Sequence, residues 1–202
     1  AKAGQFAALR YDVLAPDART ALDALLDPVP PLPFRVIRSC VENELAAPLE
    51  SRFSRFDPAP IGAASIAQVH RAALPDGTPV AVKVMYPWLE SALPRDLALL
   101  RHGLKRLARG ADDFERLFEE FADGLRRETD FEREALTARQ IAANLASQEA
   151  VVVPTVFESH STRRLLTMSL HDGLRIDDRA GLLERGIVPG RIVEILAHAY
   201  GQ

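Results

Sequence analysis

The chain has 202 residues, 48% of them hydrophobic and 26% charged, which is the composition of a soluble globular protein of one domain or slightly more, with enough apolar side chains for a real core. A formal net charge of -3 and no basic run of five or more argue against a nucleic-acid surface, and no stretch approaches the ~20 apolar residues of a membrane span. The single cysteine, Cys40, excludes an intrachain disulfide and makes a reducing compartment the default.

Positive charge is carried by 22 arginines and only three lysines, Lys2, Lys83 and Lys105. The start AKAGQ has neither an initiator Met nor a signal-peptide layout, so the chain is expected to be part of something longer. Up to about residue 56 the pattern is helical. Leu22, Leu25 and Leu26 follow Pro16-Asp17, and Phe34, Ile37, Val41 and Leu45 keep the spacing of an amphipathic helix. The link Pro28 to Pro33 between them holds four prolines, which cannot continue a helix, and reads as a rigid connector.

From Ile66 the period changes. Ile66–Ala73 and Val80–Met85 are strand-like, and the turn formers of Leu74 to Pro79 predict an antiparallel hairpin. Pro87 then opens a helix carrying Leu93, Leu97, Leu100, Leu104 and Leu107. Asp112-Asp113 is placed to cap a second, striped by Phe114, Leu117, Phe118, Phe121 and Leu125. Val151–Val153, Thr155–Glu158 and Leu165–Ser169 are predicted as strands, the last two forming a hairpin. Pro189 opens a final helix whose Ile192, Val193, Ile195, Leu196 and Ala199 are too apolar for a free surface.

Chemistry enters with Gly62-Ala63-Ala64-Ser65-Ile66-Ala67-Gln68-Val69. Its G-x-A-x-x-A-x-V register matches the kinase loop G-x-G-x-x-G-x-V except that Ala64 and Ala67 replace two glycines. Glycine serves such loops by letting backbone N–H groups approach phosphates, a freedom that alanine narrows. On the next strand, Ala81, Lys83 and Met85 face away from Val80, Val82 and Val84. An ammonium on an apolar surface demands an anionic partner, and a loop immediately upstream favours phosphate, as in the V-A-I-K strand of kinases. The companion carboxylate is sought in residues 112–134, which hold ten Asp or Glu against four Arg and mostly form a solvated helix face. In a continuous helix Asp130 and Glu134 share a face, and either is placed to meet Lys83. The five histidines show no metal-ligand spacing, Cys40 fits a helix core, and Trp88 fits a helix-start staple better than a membrane anchor.

Four segments in this order resemble the UbiB family of atypical kinases, the AarF-domain-containing kinases linked to ubiquinone biosynthesis: Lys2-Ala3-Gly4-Gln5, Pro60 to His70, Val80 to Lys83, and Glu128-Thr129-Asp130 with Glu134. The resemblance implies an α+β fold: a protein-kinase-like N-terminal lobe, with a helical extension before it and the first helices of a C-terminal lobe after it. Its expected divisions are an extension over 1–56, the lobe over 57–170, and a hinge with the start of a helical lobe over 171–202. Gly62, Ala63, Ala64 and Ser65 match the family's alanine-rich loop, with Gly62 where alanine is usual. Lys83 matches the nucleotide-phosphate lysine and Glu134 its helix partner. Lys2 and Gln5 match the K-x-G-Q motif that folds over the peptide site, and Glu128 and Asp130 the E-x-D motif it contacts. Val69, Ala81, Met168 and Leu170 are expected to line the nucleotide, the last two from the hinge that runs to Gly173 and lacks the acidic-aromatic pair common in relatives.

The ligand implied is ATP or ADP with Mg²⁺. Its metal ligands, the catalytic Asp and Asn and a D-F-G-type Asp are expected beyond Gln202, so the chain alone is expected to bind nucleotide weakly and not to turn it over. The partners implied are the nucleotide and lipid or quinone-pathway proteins, with no nucleic acid, at a cytoplasmic location or peripherally at an inner membrane surface. The alternative reading is a non-catalytic nucleotide-sensing or lipid-binding module, distinguished by whether those catalytic residues follow.

Overall fold

The computed structural model describes residues 30–107 and 114–201. Lys2, Gln5, the helix expected around Leu22–Leu26 and the cap expected at Asp112-Asp113 lie outside the described residues. The organising element is a four-stranded antiparallel sheet in the order β1-β2-β3-β4, formed by β1 (Arg55–Ala63), β2 (Ala67–Ala73), β3 (Pro79–Met85) and β4 (Leu165–Ser169). The β2–β3 hairpin forms where the turn residues put it. Gly77 takes φ +87, a region that favours glycine, its N–H donates to Leu74 O, and the Asp76 carboxylate accepts from the Thr78 N–H at 2.9 Å.

Three segments differ from the strand expectations. β1 is a strand although it contains Pro58 and Pro60, because it lies at the sheet edge, where a missing N–H removes no ladder bond, and its register with β2 shifts on either side of Pro60. Conversely, Val151–Val153 is not a strand; the Val151 N–H turns back to Gln148 O and Val152 is exposed. The strand expected over 155–158 reduces to a single bridge from Val156 to Met168, followed by a 3-10 turn at Glu158–His160.

Both sheet faces are covered. On one, α1 (Phe34–Leu45) turns Ile37, Val41 and Leu45 inward at four-residue spacing, and Leu49 of the short α2 (Leu49–Arg52) and Phe53 extend the stripe. These side chains pack with Val80, Val82, Val84 and Leu165 in one core, so the boundary expected after residue 56 falls inside β1. α3 (Leu89–Leu107) and α4 (Phe114–Glu128) pack on each other through Leu97, Phe118 and Ala122, whereas Leu100, expected on the apolar stripe, is exposed. On the other sheet face, α5 (Phe131–Asn144) lays Phe131 and Ala135 over Ile66, Ala67, Met85 and Leu166. α6 (Arg179–Glu184) and α7 (Pro189–Tyr200) follow, and no residue of α7 is buried among the described residues. No described helix is long and apolar enough to cross a membrane.

Polar groups buried between α1 and the sheet form a closed chain. Gln68 and His70 are fully buried. The Leu32 N–H donates to Gln68 Oε1 at 2.8 Å, Gln68 Nε2 lies 2.8 Å from His70 Nε2, and His70 Nδ1 lies 2.8 Å from the Asp57 carbonyl. A carbonyl only accepts, so Nδ1 carries the ring proton and Nε2 accepts from the Gln68 amide. Every atom of this chain is satisfied with His70 neutral, and a second ring proton would face the amide N–H. Burial lowers the His70 pKa, opposed by its bond to the Asp57 carbonyl. The unfolded chain therefore binds this proton more readily, so stability is full above the ordinary histidine pKa and is lost as pH falls from about 6.5 toward the depressed folded value. Melting temperature is expected to fall over that window, with a smaller acid-side loss in His70→Asn, which keeps a donor for Asp57 but does not titrate. An equal loss in both proteins would place the pH dependence elsewhere.

Candidate nucleotide site

Register alone gathers most of the expected site. Gly62 of β1 opposes Val69 of β2, Val69 opposes Lys83 of β3, and Lys83 opposes Leu166 of β4, so these four form one row across the sheet. Directly opposed residues share a face, and alternation adds Ala81 and Met168, themselves opposed, to the same side. Gly62, Val69, Ala81, Lys83 and Met168 thus lie on the face covered by α5, away from the core under α1.

Between β1 and β2 the chain turns through Ala64, Ser65 and Ile66, closed by the Ala64 N–H donating to Ala67 O at 2.8 Å. The turn is small-sided and open: nothing lies within 4 Å of where a Cβ on Gly62 would sit. Tyr86 N–H donates to Ile66 O, pinning the turn to the end of the lysine strand.

Lys83 has a partner on α5. Its ammonium donates to both carboxylate oxygens of Glu134, at 2.7 and 2.6 Å, and its side chain is 22% exposed against 42% for Glu134. The pair is therefore partly buried and partly open to solvent. The Phe131 ring lies on another side of the ammonium, its centroid 4.5 Å from Nζ. Nothing in the sequence reading singled out Phe131; the signal was an aromatic three residues before Glu134, on the same helix face.

The helix supposed continuous through 128–134 is broken. α4 ends at Glu128 and α5 begins at Phe131, with Asp130 as N-cap in extended conformation, its carboxylate accepting from the Arg133 N–H at 3.2 Å. Asp130 therefore does not share a helix face with Glu134 and is turned to the helix end, 4.0 Å from Arg163; Glu128 is exposed on the last turn of α4. A short carboxylate that can bond the backbone ahead of it favours a cap over a helix interior, which is why the break falls there.

Beyond β4 the segment expected as a hinge runs without regular structure from Leu170 to Leu174. The N–H of Leu170, a residue expected to line the nucleotide, donates to Pro79 O at 3.2 Å. Arg71 of β2 holds this segment through Asp172 at 2.9 and 3.4 Å, and this bonding keeps the Asp172 carboxyl below the usual range. Among the described residues no group of three or more His, Cys, Asp or Glu is set to hold a metal ion. Cys40 is partly buried against the α1 core, where burial raises its thiol pKa. The Trp88 ring stacks on Tyr86 at 5.1 Å just before α3.

A four-stranded antiparallel sheet with a lysine on its third strand, paired to a glutamate of the helix laid across it, defines a kinase-like N-terminal lobe. The comparisons agree: residues 24–202 match the ABC1 atypical kinase-like domain, and the chain belongs to that family. It is 32% identical to a probable protein kinase UbiB of Marinobacter nauticus, covering 92% of this chain and 35% of that protein. It is also 32% identical to AarF domain-containing protein kinase 1 of Xenopus tropicalis, covering all of this chain and 39% of that one. The chain thus spans about a third of the length of the curated relatives it matches. A solved structure, Rv3197 of Mycobacterium tuberculosis in complex with erythromycin, superposes with a TM-score of 0.63 at 28% identity, covering 91% of this chain and 46% of that one.

Two substitutions test the local geometry. Gly62→Ala meets open space and no positive φ, so it is expected to raise stability by about 0.5 kcal/mol in denaturant unfolding. Asp130→Ala removes the α5 cap and is expected to cost about 1 kcal/mol. A destabilising Gly62→Ala or a neutral Asp130→Ala would contradict the local geometry described.

Proposed function

We propose that this chain is the nucleotide-binding part of an ATP-dependent atypical kinase or ATPase of the UbiB type, and that the complete protein supports ubiquinone or other isoprenoid-lipid metabolism. The observation that carries the reading is the Lys83–Glu134 pair on the sheet face that also bears Gly62, Val69, Ala81 and Met168. In this reading Lys83 binds the nucleotide phosphates, Glu134 keeps its ammonium aimed at them, and the Gly62–Ser65 segment covers them with its backbone. Val69, Ala81 and Met168 offer an apolar bed for the base, with Leu170 at its rim. Mg²⁺ carried with the nucleotide supplies the charge neutralisation that phosphoryl transfer needs. Lys2 and Gln5, reaching Glu128 and Asp130, would close the cleft to protein substrates.

The geometry suits a phosphate because Lys83 is half-committed. Two short contacts orient the ammonium, yet neither side chain of the pair is fully buried, and in this reading an anion adds beside Glu134. Mg-ATP at about 100 times its Kd is expected to stabilise the protein by about 2.7 kcal/mol, a rise of a few degrees in melting temperature. Lys83→Ala is expected to abolish that rise and Glu134→Gln to reduce it. Undiminished stabilisation of Lys83→Ala would overturn the assignment. Hydrolysis by the 202-residue chain that disappears in Lys83→Ala would show that the chain catalyses alone.

A further inference from the structure

Phe131 is an aromatic ring that faces the ammonium of Lys83, its centroid 4.5 Å from Nζ. It is fully buried, the first residue of α5, and fixed twice: its N–H donates to Arg163 O at 2.9 Å, and the Asp130 cap sets the helix turn that follows. Its ring packs with Ile66 and Ala67 at the small-residue turn and with Met85 and Leu166 of the central strands. One ring thus touches three things that must keep register: the turn, the lysine strand and the helix that carries Glu134.

We propose that Phe131 is a positioning residue for Lys83, its π face holding the ammonium in place while Glu134 orients it. The negative face of a phenyl ring attracts a cation within about 6 Å of its centroid, and more strongly when water is excluded. Here the separation is 4.5 Å and the ring is buried. The two partners divide the work by geometry. Glu134, three residues on, accepts the ammonium's hydrogen bonds at 2.6 and 2.7 Å, while the ring blocks a further approach that water would otherwise occupy.

An isolated carboxylate leaves a four-carbon stem free to swing. A ring fixed by backbone and core narrows that swing, so the ammonium is ordered before any anion arrives and less is lost on binding. An aliphatic residue of similar volume would fill the core and lack this attraction. The functional half of the proposal rests on the assignment of Lys83 to nucleotide phosphates; the structural half does not.

The test reads the two halves separately. The chain holds three lysines, so labelling lysine at Cε alone gives three methylene carbon signals in NMR, one per residue. In the nucleotide-free protein, the Lys83 signal, assigned by its loss in Lys83→Arg, is expected upfield through the ring current, and Phe131→Leu is expected to return it toward the other two. A Lys83 signal at the same position in both proteins would overturn the proposal.

Since Phe131→Leu also disturbs the core, mono-, di- and trifluorophenylalanine at position 131 form a second series that withdraws π density at nearly constant size. With melting temperature held, Mg-ATP affinity is expected to fall stepwise, about fivefold in all. A flat series would show that the ring only packs and would overturn the functional half. If the unsubstituted protein bound no nucleotide, the proposed function would fail, and the lysine spectrum alone would decide whether Phe131 positions Lys83.

Discussion

The structure turns on one ammonium. Lys83 sits mid-strand among Ala81, Met85, Leu166 and Met168 of the same face, where a charge without a partner would be costly. Its partner stands 51 residues further on, beyond the α3–α4 pair, so the lysine is satisfied only if α5 docks across the sheet in one orientation. The start of α5 is therefore a constraint on the site. Asp130 caps it, Phe131 is bonded to Arg163 beside β4, and Glu134 follows one turn later, which is the spacing that puts ring and carboxylate on the same ammonium. Such a half-exposed pair adds little to stability; its physical content is orientation.

The sheet separates stability from chemistry by its two faces. Under α1 the contacts are Ile37, Val41, Val80, Val82, Val84 and Leu165, all nearly or fully buried, and the polar chain through Gln68 and His70 is closed on itself. Its end at Leu32 binds the backbone that leads into α1, so the covering helix is attached by direction-specific bonds as well as by apolar area. The opposite face is small-sided at Gly62 and Ala81 and charged at Lys83 and Arg71, and among the described helices α5 lies upon it. Because β2 and β3 contribute alternate residues to each face, a one-residue slip would exchange Lys83 with Val82 or Val84; the sealed face thus fixes the register on which the open face depends.

The readable parts of the sequence were those where local chemistry and tertiary role agree. β2 and β3 alternate cleanly around an Asp76-Gly77 turn, and the Ile37, Val41, Leu45 spacing is that of a helix laid on a sheet. β1 was hidden because an edge strand tolerates Pro58 and Pro60, which in a central strand would argue against it. Val151–Val153 misled in the other direction: β-branched residues supply propensity, but a strand exists only where a neighbour offers a ladder, and these residues have none. At the site, residue type identified Lys83 and left Asp130 and Glu134 as rivals. What separated them was a helix boundary, the feature that pattern reading locates least well, and Phe131 was invisible for the same reason, since its role appears only once the turn it starts is known.

Why position 83 should be lysine, in a chain that uses arginine for 22 of its 25 cations, follows from the space around it. A guanidinium is a planar fork, suited to a carboxylate met edge-on with room on either side. At position 83 the cation enters between a carboxylate 2.6 to 2.7 Å away and a ring face 4.5 Å away, with the Ile66–Ala67 turn packed against the same ring. A compact head with three tetrahedral donors can bond the carboxylate and rest on the ring at once, with a donor to spare. A fork bonded to the carboxylate would commit its plane and reach past the ring. The scarcity of lysine elsewhere, where exposed arginines pair with Glu and Asp at sites such as Arg71–Asp172 and Arg101–Glu115, shows that positive charge alone was not the requirement. The requirement at position 83 is for a small, rotatable cation on a flexible stem, which then has to be ordered from outside, and the burden of ordering it falls on the first turn of α5.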